Sequence, residues 1–407
     1  MRDYDIILYG ATGFVGRQTV GYFAGHVQGG AVRWAIAGRD GSRLEAVKRQ
    51  VGGAATSVDV LIADSRDQGA VDAMVSRTRV LLNTAGPFAL YGGSIVDACA
   101  RRRTHYVDIT GETLWVKDLI DRYHDRASAD GTRLIPFCGF DSVPSDIGTY
   151  LLVRHLRDTL GAECTVVKAY FKAHGGWNGG TIASAMNSLD SGRSVEAKDP
   201  FLLDPPAQHS AAEIQRQLDI SGVRYDSDVG RWVGPYFMAP INTRVVRRSA
   251  ALYQQWGAPY SRDFGYQEYL KYDPPFSKAK ALGVTAALAL FERALQRRAL
   301  RRLLRPLLPQ PGSGPSERVM ERGWFRCDLL ALTDDGRTVR GLVRDTGDPA
   351  NRVTVKCLCE SALGLIMDEA MLPGGRQRGG VLTPATGLAD VLARRLRAAG
   401  MVIEIGV

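Results

Sequence analysis

Cysteine is sparse and unclustered in this chain. Its six cysteines (Cys99, Cys138, Cys164, Cys327, Cys357 and Cys359) form no CxxC pair and no Cys/His ligand cluster. Neither a zinc site nor a disulfide framework is therefore indicated, and no metal is expected. Cys357 and Cys359 alternate within Val353–Glu360, so on a strand both face the same side and read as paired core thiols rather than a redox pair. No uninterrupted apolar run reaches membrane-spanning length, and no signal-peptide pattern precedes the first apolar segment. A reducing, cytoplasmic setting is the expectation. Internal repeats and low-complexity tails are missing. No recognised nucleic-acid motif accompanies the basic residues, which argues against nucleic acid as a partner. What remains is ordinary globular composition, with 407 residues, 45% hydrophobic and 23% charged. That length suits two domains or one large one.

The richest segment lies near the N-terminus. Tyr4–Tyr9 is an apolar run that reads as a buried strand, followed by Gly10-Ala11-Thr12-Gly13-Phe14-Val15-Gly16 and a helical pattern through Thr19, Val20, Tyr22 and Phe23. Strand, glycine turn and helix together form the context of a dinucleotide site. Gly10 permits the tight turn, Gly13 lets the backbone approach a pyrophosphate, and Gly16 lets helix and strand pack closely. The helix start then offers free N–H groups to phosphates.

Strand and helix patterns alternate through the first third, the signature of a parallel sheet covered on both faces. Strands are expected at Trp34–Ala37, Val58–Ala63, Val80–Thr84, His105–Ile109 and Arg133–Phe137. Helices are expected at Leu44–Val51, Asp67–Val75, Ser94–Arg101 and Leu114–Ala129. Beyond Pro144 the texture changes. Ile147–Leu160 reads as a helix, and Cys164–Lys172, Trp324–Thr333, Val339–Val343 and Arg352–Cys359 read as strands of a mixed or antiparallel sheet. Asp199–Gln208 and Pro306–Pro315 are proline-rich connectors, and Gly387–Met401 reads as one helix burying Leu388, Val391, Leu392 and Leu396. The fold expected is α/β. A doubly wound Rossmann domain spans 1–146, and a second α/β domain for substrate and dimerisation spans 147–375. A C-terminal segment, 376–407, carries the last helix.

The second strand ends in Ala37-Gly38-Arg39-Asp40, where an NAD enzyme usually places an acid. Arg39 is suited to fork onto a 2′-phosphate, which selects NADP(H), with Arg43 in support. Asp40 is either the acid shifted by one residue or the cap of the next helix. Asp64 is positioned either to accept from the adenine amino group or to cap a helix. Gly86-Pro87-Phe88 occupies the place of a nicotinamide-ribose contact.

The net charge is +9. Much of it sits between Lys278 and Arg305, where Lys278, Lys280, Arg293, Arg297, Arg298, Arg301, Arg302 and Arg305 face Glu292 alone. With the apolar stretch Ala281–Phe291 before the arginines, Ala281–Arg305 reads as a basic amphipathic helix for a membrane surface or an acidic protein. The alternative is a helix that buries Leu295, Leu303 and Leu304 and solvates its arginines.

Several blocks resemble one family. Gly10–Gly16, Ala37-Gly38-Arg39, Thr84–Phe88, Tyr106–Glu112 and Cys138–Asp146 are similar to the saccharopine dehydrogenase-like oxidoreductases. Gly179–Ser184, Ala239–Ser249 and Leu382–Gly387 narrow the resemblance to the actinobacterial trans-acting enoyl reductases. It extends from Asp3 to about Met401. It implies a Rossmann domain, a second α/β domain, a C-terminal helix in 376–407 that returns to pack on the Rossmann domain, and reduction of a carbon–carbon double bond on an acyl chain carried by a polyketide synthase or acyl carrier protein. The region Lys198–Ser227 aligns with no feature of the family, and the substrate arginines of lysine-pathway saccharopine enzymes have no counterpart here.

Enoyl reduction needs an oriented hydride donor, a hydrogen-bond donor for the developing enolate, and a proton for the α-carbon. Loops at the carboxyl ends of the strands are where such groups belong. Tyr91, Glu112 and Asp141 are the candidate catalytic residues. Gly10, Thr12, Gly13, Phe14, Val15, Gly16, Arg39, Asp64, Gly86, Pro87 and Phe88 are the candidate cofactor contacts. Ser142, Asn178, Gly180 and Thr181 are candidates for the substrate. Two other readings fit the same scaffold: an imine or ketone reductase of natural-product or amino-acid metabolism, and a non-catalytic lipid- or membrane-associated nucleotide-binding protein.

Overall fold

Two seven-stranded sheets organise the chain. The computed structural model describes residues 2–27, 30–176, 178–297, 300, 303, 309–310 and 312–406. The first sheet follows the alternation of the sequence: β1 (Tyr4–Tyr9), α1 (Phe14–His26), β2 (Trp34–Gly38), α2 (Gly41–Val51), β3 (Asp59–Ile62), α3 (Gln68–Ser76), β4 (Thr78–Asn83), α4 (Phe88–Tyr91), α5 (Gly93–Arg102), β5 (His105–Asp108), α6 (Thr113–Asp130) and β6 (Arg133–Ile135). Ile6, Ile7 and Leu8 are fully buried, as a parallel strand covered on both faces requires. The strand order is β6-β5-β4-β1-β2-β3, all parallel. Chain direction across the sheet reverses between β1 and β4. A crevice therefore opens beyond their carboxyl ends, the place where open α/β sheets bind ligands.

The second half comprises α7 (Val143–Leu160), β7 (Cys164–His174), α8 (Gly179–Asp190), α9 (Ala211–Gln217), β8 (Arg224–Asp226), β9 (Arg231–Pro235), α10 (Ala239–Gln255), β10 (Gly265–Tyr272), α11 (Ser277–Gln296), β11 (Trp324–Thr333), β12 (Thr338–Thr346), β13 (Gly380–Val381) and β14 (Val402–Ile405). Its sheet runs β14-β12-β11-β7-β10-β9-β8. Only β7 and β10 pair in parallel, so the sheet is mixed. Helix α7 links the halves and lies on β7, β11 and β12. Gly148 allows this: a Cβ there would stand 2.6 Å from Leu329 Cδ1. One continuous apolar core runs from Ile6 and Leu8 through Phe140 to Phe171 and Phe325.

Three expectations need correction. Arg352–Cys359 is not a strand. Pro349–Val353 is a wide turn, and Thr354–Met367 is a helix buried from Val355 to Leu365 on nearly every side. A helix enclosed by its neighbours carries no amphipathic stripe, so its apolar alternation mimics a strand. Cys357 and Cys359 stand about 200° apart on that helix rather than side by side. Gly387–Met401 is not continuous either. Pro384–Gly387 and Asp390–Ala398 are separate helices, broken at Ala389, whose φ is 48°. Leu388, Val391, Leu392 and Leu396 are nonetheless all buried. The third correction is one of omission: β8, β9, β10, β13 and β14 are too short or too polar to stand out in the sequence.

The C-terminal segment divides between the sheets. β13 adds to β6 in the parallel sheet, while β14 adds to β12 in the other. Two buried arginines fasten it. Arg133 donates to the carbonyls of Gly387 (2.6 Å), Pro373 (2.8 Å) and Gly375 (2.6 Å), and Arg248 donates to the carbonyls of Val381 (2.6 Å) and Leu203. Burial pulls both guanidinium pKa values down to about 10, and neutral carbonyls satisfy their donors in place of carboxylates. Of the basic segment, Arg298, Arg301, Arg302, Leu304 and Arg305 lie outside the described residues, as do residues 306–308 and 311 of the connector.

Candidate active site

The glycine turn is built for close approach. Gly10 has φ 87°, and a Cβ on it would meet the Ala85 amide nitrogen and Thr84 Oγ1 at 2.8 Å. A Cβ on Gly16 would fall 2.2 Å from the Gly10 carbonyl. Helix α1 begins at Gly13 without a side-chain cap, whereas α2 and α3 are capped by Asp40 and Asp67. The first helix thus leaves its N-terminal amides and positive dipole end for an anion, and the residues present fit a pyrophosphate. Thr12, Phe14 and Val15 follow the turn into this helix. A strap crosses beside it. Arg17 reaches the Gly312 carbonyl at 3.4 Å, Gly314 lies against the Phe14 ring, and the Ser313 carbonyl accepts from the Gly179 amide at 3.0 Å.

At the end of β2, Arg39 is exposed and makes no hydrogen bond or salt bridge among the described residues. Asp40 accepts from the Arg43 amide at 3.0 Å, which settles its part as a helix cap. Asp64 is taken up by Arg66, which donates from its amide (3.0 Å), its Nε (3.2 Å) and its Nη2 (3.0 Å) and holds the carboxyl below its ordinary range. Ile62, at the end of β3, is 68% exposed although apolar, and offers a flat face near Arg39.

Beyond β4, Gly86-Pro87-Phe88 is held from beneath by Glu112. One carboxylate oxygen accepts from the Phe88 amide (2.7 Å) and from Ser184 Oγ (2.7 Å), and the other accepts from the Ala89 amide (3.0 Å). Glu112 is 4% exposed and caps the start of α4 while gripping α8 of the other half. This candidate catalytic residue serves here as the acceptor of three hydrogen bonds that hold the loop. Tyr91 sits at the end of α4, 37% exposed, on the side toward Arg66. Asp108, at the end of β5, accepts from Tyr106 Oη (2.7 Å) and from the Thr110 (3.0 Å) and Phe137 (3.3 Å) amides, and burial raises its pKa to about 7.

The loop after β6 carries the free acid. Asp141 makes no hydrogen bond among the described residues, and loss of water around its carboxyl raises the pKa to about 6. Its neighbour Ser142 donates to Asn242 Oδ1 (3.2 Å), and Asn242 Nδ2 donates to Glu268 Oε2 (3.0 Å). Glu268 also accepts from Ser145 Oγ (2.5 Å) and Tyr266 Oη (2.7 Å), and burial lifts its pKa to about 7. The phenol of Tyr236 is buried with no partner and feels the charges of both Glu268 and Asp141. Sequence reading passed over Tyr236, Asn242 and Glu268. Only the block Ala239–Ser249 gave a signal, and nothing local connects Tyr236 or Glu268 to a site reached through folding.

The second-half candidates are engaged with one another. Asn178 caps α8, accepting from the Thr181 amide at 3.0 Å, while its Nδ2 donates to Asn351 Oδ1 at 3.0 Å. Gly180 follows on the first turn. The structure thus brings Gly86, Phe88, Glu112 and Ser184 into one cluster, and Asp141, Ser142, Asn242, Glu268 and Tyr236 into a second. Ile241 joins them, its Cδ1 lying where a Cβ on Gly111 would be 3.0 Å away.

Comparison with known proteins fits this geometry. The family described as saccharopine dehydrogenase NADP binding domain matches residues 6–135. A trans-acting enoyl reductase of Mycobacterium bovis (strain BCG / Pasteur 1173P2) is 35% identical over 418 residues, covering 99% of this chain and 97% of its own. One from Mycobacterium ulcerans (strain Agy99) is 34% identical, covering 99% and 98%. Among solved structures, the apo saccharopine dehydrogenase (L-Glu forming) of Saccharomyces cerevisiae shares the fold, with TM-score 0.54 at 11% identity over 99% of this chain and 100% of that one. The first half of the chain is therefore an NADP-binding domain.

Proposed function

The chain belongs to the saccharopine dehydrogenase-like family that includes the trans-acting enoyl reductases, and from this we propose that it reduces the carbon–carbon double bond of an acyl thioester carried by a polyketide synthase or acyl carrier protein. It is an oxidoreductase with an NADP-binding domain; the bond reduced and the acyl carrier are the proposal. The observation that carries it is relatedness over essentially the full chain to proteins of that name.

NADPH, when bound, supplies a hydride to the β-carbon. The chain's own residues hold the reactants and the proton. Gly10, Gly13 and Gly16 open the turn, and Thr12, Phe14 and Val15 line it. Arg39 meets the 2′-phosphate, with Asp64 and Arg66 bordering the adenosine. Gly86, Pro87 and Phe88 set the nicotinamide end, and Glu112 acts as a positioning residue because its lone pairs already hold that loop. Asp141 has no competing partner and a pKa raised toward neutrality, so it holds the proton for the α-carbon. The phenol of Tyr236, which lacks an acceptor, serves the enolate oxygen better than the exposed Tyr91. Ser142, Asn178, Gly180 and Thr181 shape the substrate side from both halves.

The test is NADPH oxidation with a panel of enoyl thioesters on coenzyme A and on carrier protein. Turnover of at least one enoyl thioester, with the saturated thioester as product, is expected. Turnover only of imines or ketones would replace this reading with the alternative reductase.

A further inference from the structure

Helix α11 has an apolar surface that the described chain does not cover. Of its twenty residues only Ala281 is buried. Leu282 (52% exposed), Val284 (39%), Leu290 (65%) and Phe291 (42%) face outward, and Phe276, just before the helix, is 78% exposed. At about 100° per residue these side chains spread over roughly half the circumference. The helix rests on β9, β10 and α8 by its remaining face. The stretch Ala281–Phe291 carries no charge, and it is bracketed by Lys278 and Lys280 at one end and Arg293 and Arg297 at the other, with Glu292 alone opposing them. Leu300 (37%) and Leu303 (70%) extend the apolar exposure beyond it.

We propose that α11 lies in the surface of an anionic phospholipid bilayer, its apolar face among the acyl chains and the flanking Lys280, Arg293 and Arg297 among the headgroups, while Lys278 lies over the Trp232 ring at 4.9 Å. Charge complementarity and the width of the apolar arc together select this occupant. A helix seated in a protein groove presents a narrow stripe of anchors. An interfacial helix presents a broad apolar face, with long basic side chains reaching outward to phosphate. No helix among the described residues is long and apolar enough to cross a membrane, so the contact is peripheral. This inference stands whether or not the chain reduces an enoyl thioester.

The test uses the full chain with sedimenting vesicles of phosphatidylcholine, with and without phosphatidylglycerol. Binding to the phosphatidylglycerol vesicles, weakened by salt, is expected. L290S/F291S should lower that binding at least about tenfold, and R293E/R297E should abolish the preference for anionic vesicles. Both variants should retain NADPH binding, because none of the four residues belongs to the crevice. As a second readout, Phe291→Trp should show blue-shifted fluorescence on anionic vesicles only. Wild-type chain left in solution by both vesicle types, variants that bind like wild type, or capture of an acidic carrier protein through these residues without vesicle binding would each overturn the proposal.

Discussion

Replacing Arg39 with alanine tests the proposed recognition of the 2′-phosphate with little structural disturbance, because this side chain is held by no hydrogen bond or ion pair among the described residues. It is exposed and acts on Asp64 and Tyr9 only through its charge. The folded state should therefore lose nothing measurable, and the melting temperature should not move. A guanidinium on a phosphate is a charge-assisted contact, worth about 1.5–3 kcal/mol. The site is open to solvent, so the lower half of that range applies, and the NADPH dissociation constant should rise roughly tenfold to thirtyfold. NADH lacks the 2′-phosphate and should change by less than about twofold, leaving the variant nearly blind to the difference between the cofactors. The NADPH penalty should also shrink as salt is raised toward ~1 M, where the Debye length falls to about 3 Å. Titration of both cofactors by fluorescence, at low and high salt, reads all of this. Equal losses for NADPH and NADH would refute the assignment and move 2′-phosphate recognition to another cation.

Three further outcomes follow from the site. Gly16→Ala places a methyl group 2.2 Å from the Gly10 carbonyl, a backbone atom that cannot step aside; about 3 kcal/mol of strain and loss of measurable NADPH affinity are expected, read by calorimetry and cofactor titration. Glu112→Gln sets an NH2 group against one of the three donors that the carboxylate now satisfies; about 2 kcal/mol and a tenfold or greater fall in kcat/KM should result, and an unchanged kcat/KM would free Glu112 from its positioning part. Asp141 must be protonated to act as an acid, so kcat should fall as pH rises through about 6, and Asp141→Asn should be slow and flat across that range. The same raised pKa has a stability sign. Between about 4 and 6 the folded chain keeps a proton that the unfolded chain releases, so wild type should lose stability relative to Asp141→Asn as pH rises through that window.

The parallel sheet was legible because its strands are apolar runs divided by amphipathic helices, and each boundary fell within a few residues. The glycine turn was legible because its constraint is local: Gly16 must lack a side chain on account of Gly10, six residues away. Asp40 as a cap was legible for the same reason. The acid cluster was not. Ser142, Asn242, Glu268 and Tyr236 meet only after α7, α10 and β10 have packed, and no spacing in the chain encodes that meeting. Asp64 looked available from its strand end, and the side chain two residues later claims it. The helix Thr354–Met367 misled because complete burial erases the periodicity by which helices are recognised.

The strap past Phe14 has a mechanical consequence. A Cβ at Gly314 would stand 2.3 Å from the Phe14 ring, and the amide of Gly179 is tied to the carbonyl one residue before it. The glycine turn and the first turn of α8 are thereby clipped to the same short piece of chain. Two parts of the molecule far apart in sequence thus share one fastening, and a chain cut within this clip should release its nucleotide faster.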